Sequence, residues 1–370
     1  MCKILFTIIL SVLILPGSAQ QRKTTVTIKG EDFYINDVVT LTGKRYNGMR
    51  LEGLLPNSRM VQGIFDDYNP DTKNLWLYGD TKKWDADRNT DEFVAAMAEW
   101  KEHGLLAFTL NLQGGSPYGY SSRKQTWINS AFARDGSLDK AYLGRLKKIL
   151  DRADTLGMVV ILGYFYFGQD QNLQDENAVV QATRGITQWI LDQGYRNVLV
   201  EINNECDINS LATKHSVDPY NHIILDAGRV HELINLVKFM KKDGRRLLVS
   251  TSFIGGSIPT DNVLNVADFV LLHGNSVPVP DSISAMVKAV RSKAAYRGGP
   301  IVFNEDDHFN FEKNFNHFTA ATAQHASWGY FDYRMKDESF NDGYQSVPVD
   351  WRINSPRKKA FFGLLKKMTQ

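Results

Sequence analysis

The chain has 370 residues, more than an average domain but the right size for one α/β barrel carrying a small addition. Its 43% hydrophobic and 23% charged residues are those of an ordinary globular protein, and a net charge of +2 gives no field for gripping a phosphate backbone, so nucleic acid is excluded as a partner. Of the two cysteines, Cys2 and Cys206, only the second would remain after removal of a leader, so no internal disulfide is expected.

The first residues read as such a leader. Lys3 supplies a positive start, "ILFTIILSVLIL" is too short for a membrane span, and "PGSA" ends it with small residues. A signal peptide over residues 1–19, cleaved near Ala19, predicts a secreted or periplasmic protein with no membrane attachment after cleavage, expected to be a monomer. Residues 20–58 follow as an N-terminal β segment. There "TTVTIKGEDFYINDVVTLTG" alternates apolar and polar residues around Gly30 and Asn36-Asp37, the pattern of a short β-hairpin that could plug one end of a barrel.

Residues 59–370 change texture to short apolar runs separated by helical patterns. The runs are "MVQGIF" (60–65), "LLAFTLNL" (105–112), "MVVILGYF" (158–165), "VLVEIN" (198–203), "LLVST" (247–251), "FVLLHG" (269–274), "PIVFNE" (300–305) and "WGYFDY" (328–333). Between the first two, Phe93, Met97 and Trp100 recur at helical spacing, with Asn89 or Thr90 as cap and Gly104 as terminator. The stretch 137–157 repeats the scheme, whereas the link after the fifth run offers at most a short helix. Eight strands alternating with helices imply an α/β fold, a (β/α)8 TIM barrel, with a doubly wound open sheet as the alternative.

In such barrels the active site lies at the C-terminal strand ends. Polar residues collect there: Asp66 and Asp67, Asn111 and Gln113, Tyr166, Asn204 and Glu205, His273 and Asn275, Glu305 to Asp307, and Asp332. Asp66, Asp67 and Asp332 read better as loop caps and supporting hydrogen-bond partners. Tyr118, Tyr120, Trp127, Tyr166, Phe167 and Trp328 have flat faces on which sugar rings could stack, Tyr166 and Trp328 being the best placed. Two glutamates, Glu205 and Glu305, close the fourth and seventh runs, and paired carboxylates across a cleft perform glycoside hydrolysis. Glu305 and Asp307 lie two apart and could share a strand face, so periodicity leaves both open as the second carboxylate.

"NNE" after the fourth run and "IVFNE" at the seventh resemble the paired glutamates of the clan A glycoside hydrolases, with glycoside hydrolase family 5 as the nearest type. The resemblance implies that Glu205 is the acid/base, that Glu305 is the nucleophile, and that Asn204 bonds the sugar hydroxyl beside the reacting carbon. His273 matches the histidine that members often carry near strand six, and Trp328 the tryptophan that floors the sugar site. The tyrosine expected two residues after that histidine is Asn275, and the arginine often found near strand two has no counterpart in "LNLQGG". Glu205 must hold a proton at working pH, and a second carboxylate about 5 Å away would raise its pKa by repulsion.

Other chemistries leave little trace. The histidines form no His-Glu-x-x-His helix or Cys/His cluster, so no metal and no cofactor is expected. The expected protein is a retaining glycoside hydrolase cleaving a polysaccharide or oligosaccharide by a two-glutamate double displacement. Asn204, His273, Trp328, Tyr166, Asn111 and Gln113 would contact the carbohydrate. The alternative is a catalytically inactive carbohydrate-binding barrel.

Overall fold

The computed structural model describes residues 22–118, 124–211, 217–335 and 337–370. The leader 1–19 and Tyr120 lie outside the described residues. Among those described, no helix is long and apolar enough to cross a membrane.

Strands β1 (Val26–Lys29), β2 (Asp32–Ile35) and β3 (Val38–Val39) form an antiparallel sheet. Its β2–β3 turn is Asn36-Asp37, with φ of 53° and 63°. Two positive φ values in a two-residue loop suit the right-handed twist of the flanking strands. A second hairpin joins β4 (Arg45–Tyr46) to β5 (Met49–Arg50).

The barrel strands are β6 (Asn57–Arg59), β7 (Ala107–Asn111), β8 (Val159–Phe165), β9 (Val198–Asn203), β10 (Leu248–Ser250), β11 (Val270–His273), β12 (Ile301–Glu305) and β13 (Gly329–Tyr330). Six form a parallel sheet in the order β10-β9-β8-β7-β6-β13, and β11 pairs with β12. Parallel bridges from Val302 to Ser327 and from Asp306 to Tyr330 join β12 to the β13 segment. The eighth strand pairs with the first, as a barrel requires and an open doubly wound sheet does not. Between β10 and β11 no ladder forms among the described residues; there the backbone is tied by Asp268 N–H to Val249 O (3.0 Å) and Gly256 N–H to His273 O (3.1 Å).

The surrounding helices are α1 (Ala86–Glu102), α2 (Lys140–Leu156), α3 (Glu176–Asp192), α4 (His231–Phe239), α5 (Asp261–Leu264), α6 (Pro280–Ser292), α7 (His317–Ala323) and α8 (Pro356–Thr369). The four-residue α5 is the short helix expected after the fifth run. Phe93, Met97 and Trp100 form the buried stripe of α1, but its cap is Asp85, whose carboxylate accepts from Arg88 N–H at 2.9 Å. Asn89 and Thr90, expected as caps, sit inside the helix and donate to Gln62 O and Gly63 O at 2.8 and 2.7 Å, fastening the first loop.

Strand one also differs from expectation. The apolar run 60–65 does not form a strand: Val61–Ile64 is a 3₁₀ turn packed under α1, and the strand is the polar triplet Asn57–Arg59 just before it. Each of the three is at most 1% exposed and bonded inside the fold: Asn57 to Phe303 O (3.1 Å), Ser58 to Tyr330 O (3.0 Å), Arg59 to Asn204 (2.8 Å). The barrel pays for these polar side chains with partners from distant strands, which hydropathy alone does not reveal.

At the opposite end, Val26 and Phe33 pack against Leu55, Ala107, Val159, Ile161, Leu199, Leu271 and Val302. The N-terminal sheet thereby covers the apolar floor of the barrel, and Phe33 is fully buried.

Candidate active site

Strand β9 delivers Glu205 through a sharp backbone turn. Glu205 has a φ of 52°, a left-handed conformation that costs a residue with a Cβ and persists only where neighbours enforce it. Its N–H donates to Ser252 Oγ (3.0 Å), and Cys206 N–H donates to Ser252 O (2.9 Å), so the segment after β10 fixes the turn.

Strand β12 delivers Glu305 through a bulge. Leu272 faces Phe303 but His273 faces Glu305, so Asn304 is an extra residue on β12. The alternation of sides is broken there. Asn304 reaches Glu201 Oε2 (3.3 Å) and Glu305 reaches the same interior, while Asp306 bonds to His317 and Trp328.

The two glutamates meet around His273. Its Nδ1 lies 3.1 Å from Glu205 Oε1 and 3.6 Å from Glu305 Oε2, and a carboxylate oxygen of each glutamate and a His273 nitrogen all fall within 4.8 Å of one another. Arg59 Nε stands 2.9 Å from Glu305 Oε2, and Arg59 Nη2 donates to Asn204 Oδ1 at 2.8 Å. Asn275 Nδ2 donates to Glu305 Oε1 at 2.9 Å. The Arg59 contact is an ion pair outside hydrogen-bond geometry, so Glu305 Oε2 accepts no hydrogen bond from the described residues. One oxygen of Glu305 is thus held and the other left for chemistry.

Burial dominates the electrostatics. It pushes the Glu205 carboxyl up to about 7, with Arg59 opposing and Asp207 adding to the rise. The expected cause was repulsion from Glu305; the main cause is desolvation, and the contributing carboxylate is Asp207. Burial also raises Glu305, but there the positive Arg59 and then His273 pull the other way. Burial lowers the pKa of His273, keeping its ring neutral beside the two carboxyls. The site therefore holds one carboxyl that retains a proton and one that has a permanent cation at contact distance.

The remaining expected residues divide. Tyr166 borders the pair: its hydroxyl bonds Ser116 Oγ (2.9 Å), and after burial the charges acting on it are Arg59, Glu305 and Glu205. Asn111 is buried at the end of β7 beside Gly163, with no hydrogen-bond partner for its amide among the described residues. Gln113 turns away to Ser130 Oγ (3.0 Å) and braces a loop. The structure does not bring Trp328 to the glutamates. It is 1% exposed, its ring stacked on Phe318 at 5.2 Å and near Phe311 and Phe361, its Nε1 donating to Asp306. Asp307 faces His308 (3.3 Å) and is not part of the glutamate cluster, which leaves Glu305 opposite Glu205. Asp67 bonds Thr72 and Trp76, and Asp332 bonds Tyr330 and Arg357, as supporting groups.

Arg59 and Glu201 were missed by sequence reasoning, and Asn275 was placed at a strand end without a role. Arg59 was hidden by the misplaced first strand; the signal that could have found it is the polar triplet "NSR" directly before an apolar run. Asn275 takes a site position in place of the tyrosine that the family pattern suggested, and Glu201 is concealed mid-strand in "VLVEIN".

Neither a protein-family model nor a curated protein matches the chain. Solved structures do. A candidate glycoside hydrolase from Bacteroides vulgatus superposes with a TM-score of 0.52 at 15% identity over 91% of this chain, which spans 60% of that longer protein. A GH5-4 broad-specificity endoglucanase from Bacteroides salanitronis gives 0.55 at 10% identity, covering 85% of this chain and 93% of that one. Its counterpart from Clostridium longisporum gives 0.55 at 12% identity, covering 85% and 97%. At identities this low the superpositions show a shared fold and nothing beyond it.

Proposed function

We propose that the chain is a retaining glycoside hydrolase that cleaves a polysaccharide or oligosaccharide. The observation that carries this reading is the Glu205–His273–Glu305 cluster, with oxygens of the two carboxylates within 4.8 Å at the C-terminal mouth of the barrel. Retaining enzymes hold their carboxyl groups about 5 Å apart, whereas inverting ones need about 6.5–9.5 Å to admit a water between carboxylate and sugar.

In this reading Glu205, protonated up to about pH 7, donates its proton to the glycosidic oxygen as the bond to the anomeric carbon breaks. Glu305 attacks that carbon through Oε2 while Asn275 holds Oε1. Arg59 pulls the pKa of the attacking carboxyl down against the rise that burial causes and, by holding Asn204 Oδ1, orients the amide toward the sugar hydroxyl next to the reacting carbon. Glu205, now a base, then takes a proton from a water whose oxygen attacks the anomeric carbon as the bond to Glu305 breaks, which releases the sugar with its configuration retained. Tyr166 would line the sugar site.

The test is trapping. A slow glycoside reagent that stalls after glycosylation should leave one adduct on the tryptic fragment "GGPIVFNEDDHFNFEK", placed on Glu305 by fragmentation. With an active enzyme, product of inverted configuration and no adduct overturns retention. Binding of glycans without hydrolysis of any in a broad panel would instead indicate the inactive carbohydrate-binding barrel.

A further inference from the structure

Next to Glu305 stands a second buried cluster that the proposed mechanism does not use. Asp306 is fully buried, and its carboxylate accepts from His308 Nδ1 (2.7 Å) and His308 N–H (3.2 Å) on Oδ1, and from His317 Nδ1 (3.0 Å) and Trp328 Nε1 (2.8 Å) on Oδ2. These donors come from the loop after β12, the first turn of α7 and the approach to β13. Burial alone would raise the Asp306 pKa, but the two imidazole hydrogen bonds hold it below the ordinary carboxylate value.

Three ligand-type side chains so close together raise the question of a metal. The imidazoles of His308 and His317 stack at 3.8 Å with 24° between their planes. Lone pairs lying in nearly parallel planes do not converge on one ion, and both Nδ1 atoms already face the carboxylate. The arrangement is a hydrogen-bond clasp centred on Asp306.

Its position in the sheet gives it a consequence. The bulge at Asn304 is what turns Glu305 into the barrel, and a bulge without support can slip back to regular register, which would send Glu305 to the other face. Asp306 follows Glu305 directly and is the first residue beyond β12. Its O accepts from Phe331 N–H (3.0 Å), the N–H of Gly274 meets Glu305 O (2.7 Å), and a Cβ at Gly274 would stand only 2.2 Å from Asp306 Oδ2. Strands β11, β12 and β13 are thereby locked at the bulge, from the side opposite the glutamates.

We infer that Asp306 is a positioning residue: its carboxylate, clasped by His308, His317 and Trp328, pins the β12 bulge and so sets the distance from Glu305 to Glu205. This rests on the proposed roles of the two glutamates, although the geometric part stands without them.

The experiment combines Asp306→Ala and Asp306→Asn with kinetics and crystallography. Asp306→Ala should lower kcat by about 10²-fold with little change in KM, since a misplacement of about 1 Å in a reacting group costs that much. Asp306→Asn, which keeps an acceptor for some of the donors, should fall between it and the parent and serves if the alanine variant does not fold. In the variant crystals Glu305 should have moved out of the 4.8 Å cluster with Glu205 and His273. A folded variant with unchanged kcat, or with the glutamates at their original separation, overturns the inference. If the parent protein hydrolyses nothing, the functional reading fails, and the glutamate separation in the variant crystals still decides the role of Asp306.

Discussion

Glu205 shows how a single side chain acquires its chemistry from its surroundings. Burial raises its carboxyl from the ordinary 4.5 to about 7, so kcat/KM should fall as the pH rises through about 7, and Glu205→Gln should abolish that alkaline limb. On substrates with poor leaving groups the same variant should lose about 10²-fold or more in rate, and much less on activated aryl glycosides, where departure needs no proton; equal losses on both would make Glu205 structural. The shift also acts on stability. Because the folded pKa lies above the unfolded one, the folded state holds the extra proton, and stability is fully present below about 4.5 and lost as the pH rises through about 7, by up to about 3 kcal/mol. Glu205→Gln should therefore be more stable than the parent at pH 8, and that advantage should be gone at pH 4, as measured by denaturant titration. Arg59 acts on the partner. Arg59→Ala removes the cation that opposes burial at Glu305, so the acidic limb of kcat/KM should move to higher pH as kcat falls. The two glutamates were legible in the sequence because each ends an apolar run with an abrupt change to acid and amide. Arg59 was not: the triplet "NSR" marks a polar stretch before an apolar run, but its burial follows from partners 145 and 246 positions away. Trp328 misled for the opposite reason: it sits at the eighth strand as expected, but Phe318 and Phe361, which cover it, come from helices that a strand pattern does not place.

At the scale of elements, seven of the eight apolar runs contain or overlap their strands, because strands buried on both faces write themselves as continuous hydrophobic stretches. The first strand breaks that rule because its side chains are polar and paired within the barrel. Helix α1 teaches the same lesson at its start. A capping residue is recognised only once the first turn is located, and Asp85, Asn89 and Thr90 are all of capping type. The carboxylate of Asp85 accepts from Arg88 N–H, so Asp85→Ala should cost about 1 kcal/mol of stability, read as a lowered denaturation midpoint with catalysis unchanged. Asn89→Ala should cost activity as well, because its amide fastens the loop that follows Arg59. The bulge in β12 could not be read at all. One extra residue in a strand leaves no trace in composition, and only pairing with β11 exposes it.

For the molecule as a whole, the N-terminal sheet is the floor on which the barrel closes. Phe33 is buried among inward-facing residues of five barrel strands, so Phe33→Ala should cost about 3–5 kcal/mol and lower the melting temperature without touching the site. The mouth is built differently from the floor. Between β10 and β11 the wall is tied at its two ends and carries no ladder among the described residues, which makes the barrel mechanically a strip with facing margins. Glu205 follows β9 on one side of that seam and Glu305 ends β12 on the other, so what spans the gap between them is a chain of side chains through His273. A seam of this kind is the compliant part of an otherwise stiff wall: it can part and close again without breaking a row of backbone bonds. Amide hydrogens along β11 should accordingly exchange with deuterated solvent faster than those of β8, and a bound ligand that bridges both glutamates should slow them.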